Sequence, residues 1–488
     1  MKATEFALTL QKDGTSSEPS RFWFLVSGFC TLFFACKNKA RSTKAKDPSL
    51  RPMYFIYSLL LSLGLLVLIP HFLFQAVVHG KYVAGLRQRF GSVSPISGKP
   101  VIWLHCVSVG ETQAARPLVE QIKQHFPQYA LVVSTITRTG QKLAHDVFRK
   151  QAESVFYFPF DWRWSVRRAM KRINPAAVLI METELWPNFL RECKAREIPV
   201  ALVNGRISKQ SFRRYSLVTF FLRRVLSSLS MAVMQSETDA QRLQSLGMPR
   251  ERIFTAGNLK FDAKPGSDLA EKSDEIRERF GLQTDVPLIL AASTHAPEEQ
   301  IILDSFKQLR TKQPARLMIA PRHPERFNEV ASLIRNSGLS WMRRTHGPEP
   351  RDREATVILL DTIGELPATY SLATLVFVGG SIVDKGGHNV LEPAAAGTAV
   401  VTGAHTHNFH AIVNLMEEAG ALVQLPPAEG TSMAVPQIAQ VFARLLASPE
   451  DRAELARRAK QLVSENQGAA ERTIKLIAPL LTANARTS

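Results

Sequence analysis

The chain has 488 residues, 45% of them hydrophobic and 21% charged, room for roughly two to four domains with substantial cores and incompatible with disorder or a fibrous repeat. Cys30, Cys36, Cys106 and Cys193 are irregularly spaced. They form neither a disulfide framework nor a Cys-x-x-Cys metal knuckle, and are expected as free thiols in a reducing compartment. Lys and Arg outnumber Asp and Glu by 61 to 43, a formal charge of +18, which calls for an anionic partner: nucleic acid, a membrane surface or a phosphorylated small molecule.

In chain order, an uncharged stretch of 15 residues at 22–36 is too short to span a bilayer, and the polar KNKARSTKAKDPSLRP that follows it has the composition of a linker. Residues 53–78 then run for 26 positions without Lys, Arg, Asp or Glu, longer than the about 20 residues that cross a hydrocarbon core. This is a candidate membrane anchor. The basic residues Lys81, Arg87 and Arg89 favour keeping the next domain in the cytoplasm. Pro70 and His71 interrupt the run, so a monotopic insertion stands beside a full span.

Beyond residue 80, short apolar runs alternate with amphipathic stretches, the pattern of repeated βα units and a mainly parallel sheet. Strands are predicted at 101–105, 130–135, 155–158, 177–181, 200–204 and 232–235. After a loop near 264–266 they resume at 288–292, 316–320, 356–360, 375–378 and 399–402. Two α/β domains follow, and 449–481 reads as two helices packed on a core. Between residues 161 and 224, 14 Lys or Arg face five acids beside Trp162, Trp164, Trp186, Phe189, Phe220, Phe221 and Leu222. That mixture suits an anionic lipid surface at least as well as a polynucleotide.

Ligands of open α/β sheets bind at the carboxyl ends of strands, and the residues there carry chemistry. Glu111 opens a helix after the first strand, where it could serve the helix dipole or act as a general base. Glu182 and Glu184, with a single residue between them, follow a strand end, and one of the two is expected in a site. Lys260, in GNLKFD, could neutralise a phosphate. In ASTHAPEEQ, Thr294 is a candidate N-cap with Pro297 and Glu298 or Glu299 after it, leaving backbone N–H groups for an anion. Arg322 is placed for bidentate phosphate contact, although a structural arginine would read the same way. DTIGEL and VGGSIVDKGGHNVLEPAAAG also begin at strand ends, and Glu392 could accept from a ribose. His405, His407 and His410 read as a polar loop rather than metal ligands. Neither a P-loop, nor Gly-x-Gly-x-x-Gly, nor Gly-x-Ser-x-Gly is present.

The ordered motifs SVGE (108–111), METELWPN (181–188), NGRIS (204–208), GNLKFD (257–262), ASTH (292–295), PRHPERF (321–327), IGEL (363–366) and GGHNVLEPAA (386–395) resemble those of the bacterial 3-deoxy-D-manno-octulosonic acid (Kdo) transferases. The resemblance runs from about Met53 to the C-terminus. It implies a GT-B fold: two Rossmann-like domains, 81–264 for the acceptor and 265–488 for the donor, facing a cleft, with a membrane anchor at 53–80. It implies transfer of Kdo from CMP-Kdo to the lipid A precursor (lipid IVA), inverting and metal-independent, with no cofactor. The place of action is the cytoplasmic face of the inner membrane, whose anionic lipid surface is a partner, and nucleic acid is not. Position by position, the resemblance puts the catalytic base on Glu111 and transition-state stabilisation on Glu182 and Lys260. CMP contacts fall on Pro321 and Arg322, on Ile363, Gly364 and Glu365, and on Asn389, Val390, Leu391 and Glu392. The first 52 residues have no counterpart in the family, so Met53 is the expected native start. Another membrane-associated GT-B transferase using a different nucleotide sugar is the alternative. A membrane-anchored nucleic-acid-binding protein would explain the charge, but not the strand-end acids and glycine loops.

Overall fold

The computed structural model describes residues 50–79, 85–96, 98–263, 268–282, 286–428 and 430–484. The expectations for 1–49, including the apolar stretch at 22–36, and for the loop at 264–266 lie outside the described residues. The chain divides into two compact units, Met1–Ala263 with Gln467–Ser488, and Lys264–Asn466.

The first unit carries β1 (Val101–His105), β2 (Ala130–Thr135), β3 (Ser154–Tyr157), β4 (Pro175–Met181), β5 (Val200–Gly205), β6 (Met231–Met234) and β7 (Ile253–Thr255). Every pairing is parallel, in the order β3-β2-β1-β4-β5-β6-β7. Helices cover both faces of such a sheet, so its central strands are apolar throughout instead of alternating with polar residues. On β1, Val101 and Trp103 enter one core with Phe156, Phe158 and Phe189, while Ile102 and Leu104 enter the opposite core with Leu131 and Val133, the period of two of an extended chain.

The second unit repeats the plan with β8 (Leu288–Thr294), β9 (Arg316–Pro321), β10 (Trp341–Arg343), β11 (Val357–Leu359), β12 (Leu375–Val378), β13 (Ala399–Thr402) and β14 (Val423–Gln424). Its order is β10-β11-β9-β8-β12-β13-β14, again parallel. The three strands that the apolar runs did not announce, β7, β10 and β14, are all sheet edges of two or three residues.

Two local expectations change. Helix Ala469–Asn484 belongs to the first unit, not to a domain ending at 488. Asp262 accepts from the backbone N–H groups of Gly468 at 2.7 Å and Ala470 at 2.6 Å, and Ile474, Ile477 and Leu481 complete the core around Leu104. The apolar stripe of the helix announced burial but not which sheet it covers. Thr294 ends β8 instead of capping a helix, and helix Glu298–Arg310 starts after Pro297.

Helix Leu50–His79 covers the whole uncharged run 53–78 of the anchor candidate. Its side chains are described for residues 53–67, and among the described residues no helix is long and apolar enough to cross a membrane. One face docks on the first unit: Tyr57 donates to Asp161 at 3.0 Å, while Ser58 and Ser62 accept from Asn188 and Trp162, each at 3.0 Å. The other face leaves Phe55, Leu59, Leu63, Leu66 and Val67 exposed. Cys106 and Cys193 are buried free thiols.

Candidate functional site

In the first unit, β1 ends at His105, and Ser108 caps helix Val109–Ala114 with its hydroxyl, placing Glu111 in the first turn. The Glu111 carboxyl is only 6% exposed, and it accepts from the Val107 N–H at 2.8 Å and the Ser108 hydroxyl at 3.0 Å. Burial raises its pKa well above the ordinary carboxylate value, Glu182 and Glu184 add to the rise, and the two hydrogen bonds only partly oppose it. This is the electrostatic condition of a carboxyl that takes a proton more readily than an ordinary, solvated one.

The neighbours come from two more strand ends. Glu182 follows β4 directly with φ +53°, a left-handed backbone that non-glycine residues seldom adopt. Glu184 stands two residues on, and burial with the nearby Glu182 charge pushes its pKa to about 7. The expectation of only one acid in the site is thus too narrow, since both carboxylates act on Glu111. Even in an extended chain residues two apart share a face, so nothing in their spacing keeps the two acids from one neighbourhood. Lys260 lies in the 3-10 turn Leu259–Asp262, which packs beside Glu111's helix. Asn204, at the end of β5, holds this turn by accepting from the Leu259 N–H at 3.0 Å. Burial lowers the Lys260 ammonium pKa, Glu182 resists, Arg206 reinforces and Glu111 resists. Glu111, Glu182 and Lys260, from three separate motifs, therefore share one electrostatic neighbourhood. Tyr215 joins it: burial and Glu184 push its phenol to about 12. No sequence pattern marked Tyr215.

In the second unit, the expected nucleotide residues also cluster at strand ends. Pro321 closes β9. Arg322 follows it, exposed, its backbone N–H donating to the Thr294 carbonyl at 3.0 Å. Past β11, Ile363 is 81% exposed and Gly364, at φ +87°, has open space where a side chain would stand. Glu365 is tied by Arg344 through two contacts, at 2.8 and 3.0 Å, and by the Thr362 hydroxyl. Against the effect of burial, these bonds hold its carboxyl below the ordinary range. Asn389, two residues before the helix Leu391–Ala395, accepts from the Leu391 N–H at 3.0 Å, and its amide donates to Glu392, also at 3.0 Å. Val390 and Leu391 are buried, so backbone is what they can offer a ligand.

Glu298 was expected to leave the start of its helix open to an anion. Instead its buried carboxylate accepts four backbone N–H groups, from His295, Gly380, Ser381 and Ile382, at 2.7 to 3.0 Å, and thereby joins the turn after β12 to the turn after β8. Gly379 is required there, because a Cβ would stand 2.8 Å from the Ser293 carbonyl oxygen. His405 and His407 approach Asp384, and among the described residues no group of three or more could hold a metal ion.

The family model described as "3-Deoxy-D-manno-octulosonic-acid transferase (kdotransferase)" matches residues 84–263. The chain is 36% identical over 409 residues to the 3-deoxy-D-manno-octulosonic acid transferase of Haemophilus influenzae, covering 83% of this chain and 93% of that protein. Against the protein of the same name from Chlamydophila psittaci it is 30% identical over 422 residues, or 86% and 94% of the two chains. A solved glycosyltransferase from Rickettsia africae is similar in fold, with a TM-score of 0.53 and 13% identity over 79% of this chain and 99% of that one. Two parallel seven-stranded α/β units and this likeness fit the GT-B fold. With that coverage and identity, the chain belongs to the 3-deoxy-D-manno-octulosonic acid transferase family.

Proposed function

We propose that the chain transfers Kdo from CMP-Kdo to a lipid A precursor, lipid IVA, with inversion at the anomeric carbon. The reaction is supported by the names of the relatives, and the observation that carries the mechanism is the buried, high-pKa Glu111 beside Glu182 and Lys260. Glu111 takes the proton of the acceptor hydroxyl, the acceptor oxygen bonds to the anomeric carbon, and the bond from that carbon to the phosphate oxygen breaks as CMP leaves with the electron pair. Its hydrogen bonds to Val107 and Ser108 fix the carboxyl so that reorganisation on proton transfer is small. Glu182 and Lys260 balance charge around the reacting groups. Arg322, the open turn at Ile363–Gly364 and the Asn389–Glu392 pair hold the CMP moiety.

The chain acts at the cytoplasmic face of the inner membrane in this reading. Support comes from the exposed Phe55, Leu59, Leu63, Leu66 and Val67, and from exposed aromatics tied to the same helix. Trp164 stacks on Trp162 with ring centroids 6.1 Å apart, Trp162 donates to Ser62, and Phe220 adjoins Phe221, whose ring lies 5.6 Å from that of Tyr54. Exposed Arg163, Arg213 and Arg214 beside them suit anionic lipid.

The test is CMP release by purified protein in detergent, with CMP-Kdo generated in the same tube. Release that needs both CMP-Kdo and lipid IVA is expected. Release that ignores the lipid, or none with folded protein, would contradict the proposal.

A further inference from the structure

Two histidines outside the expected site meet at its edge. His295 follows β8, and His388 lies in the glycine-rich loop after β12. Their Nε2 atoms are 2.8 Å apart, the ring planes differ by 6° and the centroids are separated by 5.1 Å. That separation equals the nitrogen contact plus two ring radii, so the rings meet edge to edge along one line. One Nε2 donates and the other accepts, and two neutral imidazoles hold a single proton in the contact.

The surroundings are built around this pair. At Gly380, φ +68°, a Cβ would lie 2.9 Å from the His388 ring carbon Cδ2 and 3.0 Å from its Nε2, so glycine is what seats the ring. The His323 ring stands edge-on to His295 at 5.0 Å. The charged groups acting on His295 are His323, Lys385, Arg322 and Arg326, and those acting on His388 are His295, Arg322 and His323. Burial first, and then these positive groups, hold both imidazoles neutral, at about 4 for His295 and about 3 for His388. The nearby carboxylates already have partners: Glu298 four backbone N–H groups, Glu299 and Glu329 the guanidinium of Arg326, Glu325 the His323 ring at 3.7 Å, and Asp384 the rings of His405 and His407 at 3.7 and 3.4 Å. Beside the pair, the fully buried Thr294 hydroxyl has no hydrogen-bond partner among the described residues. Among the described residues no carboxylate stands in ion-pair contact with Arg322 or Lys385, so the place keeps positive charge open to a ligand.

Resting on the donor reading above, we propose that His295 and His388, with Arg322 and Lys385, bind the carboxylate of the donor's sugar and so select a sugar acid over neutral nucleotide sugars. Arriving next to the shared proton, the carboxylate supplies the negative charge that lets the pair take up a second proton, so each ring donates outward or to its neighbour without facing a like charge unscreened. A neutral sugar offers no such compensation, and the positive cluster would be desolvated against it without return.

The test compares CMP, which lacks the sugar, with CMP-Kdo in the full-length enzyme. His388→Gln and Lys385→Ala are each measured for CMP affinity by calorimetry, and for KM and kcat of transfer from CMP-Kdo. Lys385 is exposed, which keeps folding out of the comparison. A rise of about tenfold in the KM for CMP-Kdo, the loss of one charge-assisted hydrogen bond, with CMP affinity unchanged, is expected for both. CMP affinity falling in step with that KM, or a KM unchanged in both variants, would overturn the proposal. Wild-type enzyme that binds CMP but leaves CMP-Kdo intact would instead remove the donor reading on which the proposal stands.

Discussion

Arg322 and Arg326 share one turn after β9 but have opposite surroundings. Arg326 grips the fully buried Glu299 through two contacts, at 2.7 and 3.2 Å, and Glu329 at 2.8 Å, whereas Arg322 is exposed and has no ion-pair partner among the described residues. The turn thus separates a structural arginine from one left for a ligand. Arg322→Ala is expected to lower kcat/KM for the donor about a hundredfold, the scale of a lost bidentate contact to phosphate, with the melting temperature unchanged. Arg326→Ala leaves Glu299 buried and unpaired, and is expected to cost about 3 kcal/mol in chemical denaturation. Equal loss of stability in both variants would contradict this division.

Glu298 makes a second structural prediction. A carboxylate with four N–H donors uses both of its oxygens, and a glutamine in its place offers one oxygen and turns an NH2 toward the remaining donors. Glu298→Gln is expected to destabilise the protein by about 2–4 kcal/mol and to weaken CMP binding. Calorimetry at a temperature where the variant is folded checks the second effect.

The acids around Glu111 set a pH dependence. A base must be deprotonated, and Glu111 is held well above the ordinary carboxylate value, so kcat/KM falls as pH drops through a limb above the usual carboxylate range. Glu184 raises Glu111 through like charge. Glu184→Gln should therefore move the acid limb to lower pH. A limb that stays in place, or moves up, would contradict the coupling.

Asp161 links the N-terminal helix to stability. Burial raises its carboxyl to about 7, opposed by hydrogen bonds from Asn188, Phe189 and Tyr57. A folded-state value above the unfolded one means that its contribution is most favourable below the ordinary carboxylate pKa and is lost as pH rises toward 7. The Tyr57 hydroxyl favours the ionised form. Tyr57→Phe is thus expected to cost about 1–2 kcal/mol above pH 7 and less at pH 5, as read by denaturation at the two pH values.

The exposed face of helix Leu50–His79 predicts lipid contact. Replacing Phe55 and Leu63 by Gln removes about 2 kcal/mol of apolar burial at each position. Cosedimentation with phosphatidylethanolamine–phosphatidylglycerol vesicles should fall at least tenfold, without loss of CMP binding. Undiminished sedimentation would count against this face as the lipid contact.

Much of this architecture is legible in the amino-acid order, for physical reasons that also mark where legibility ends. Strands such as Val101–His105 and Ala130–Thr135 are buried on both faces and therefore read as apolar runs. The edge strands Ile253–Thr255, Trp341–Arg343 and Val423–Gln424 are short and half exposed, so they carry little such signal. Strand-end polar residues pointed to Glu111, Glu182 and Lys260, and the fold brings these into one neighbourhood. Pairings across long sequence distance were not legible. His295 meets His388 across 93 positions, and Glu298 reaches Gly380 across 82. The final helix returns to the first unit through Asp262, a choice that its apolar stripe alone leaves undecided.

The most direct test of the central claim is mass spectrometry of tetraacylated lipid IVA after incubation with CMP-Kdo and either wild-type protein or Glu111→Gln. Wild-type protein should add one or more Kdo units, while Glu111→Gln, folded and still binding CMP, should leave the lipid unchanged. Lipid that gains no mass with folded wild-type protein would contradict Kdo transfer. Transfer by Glu111→Gln at the wild-type rate would contradict Glu111 as the base.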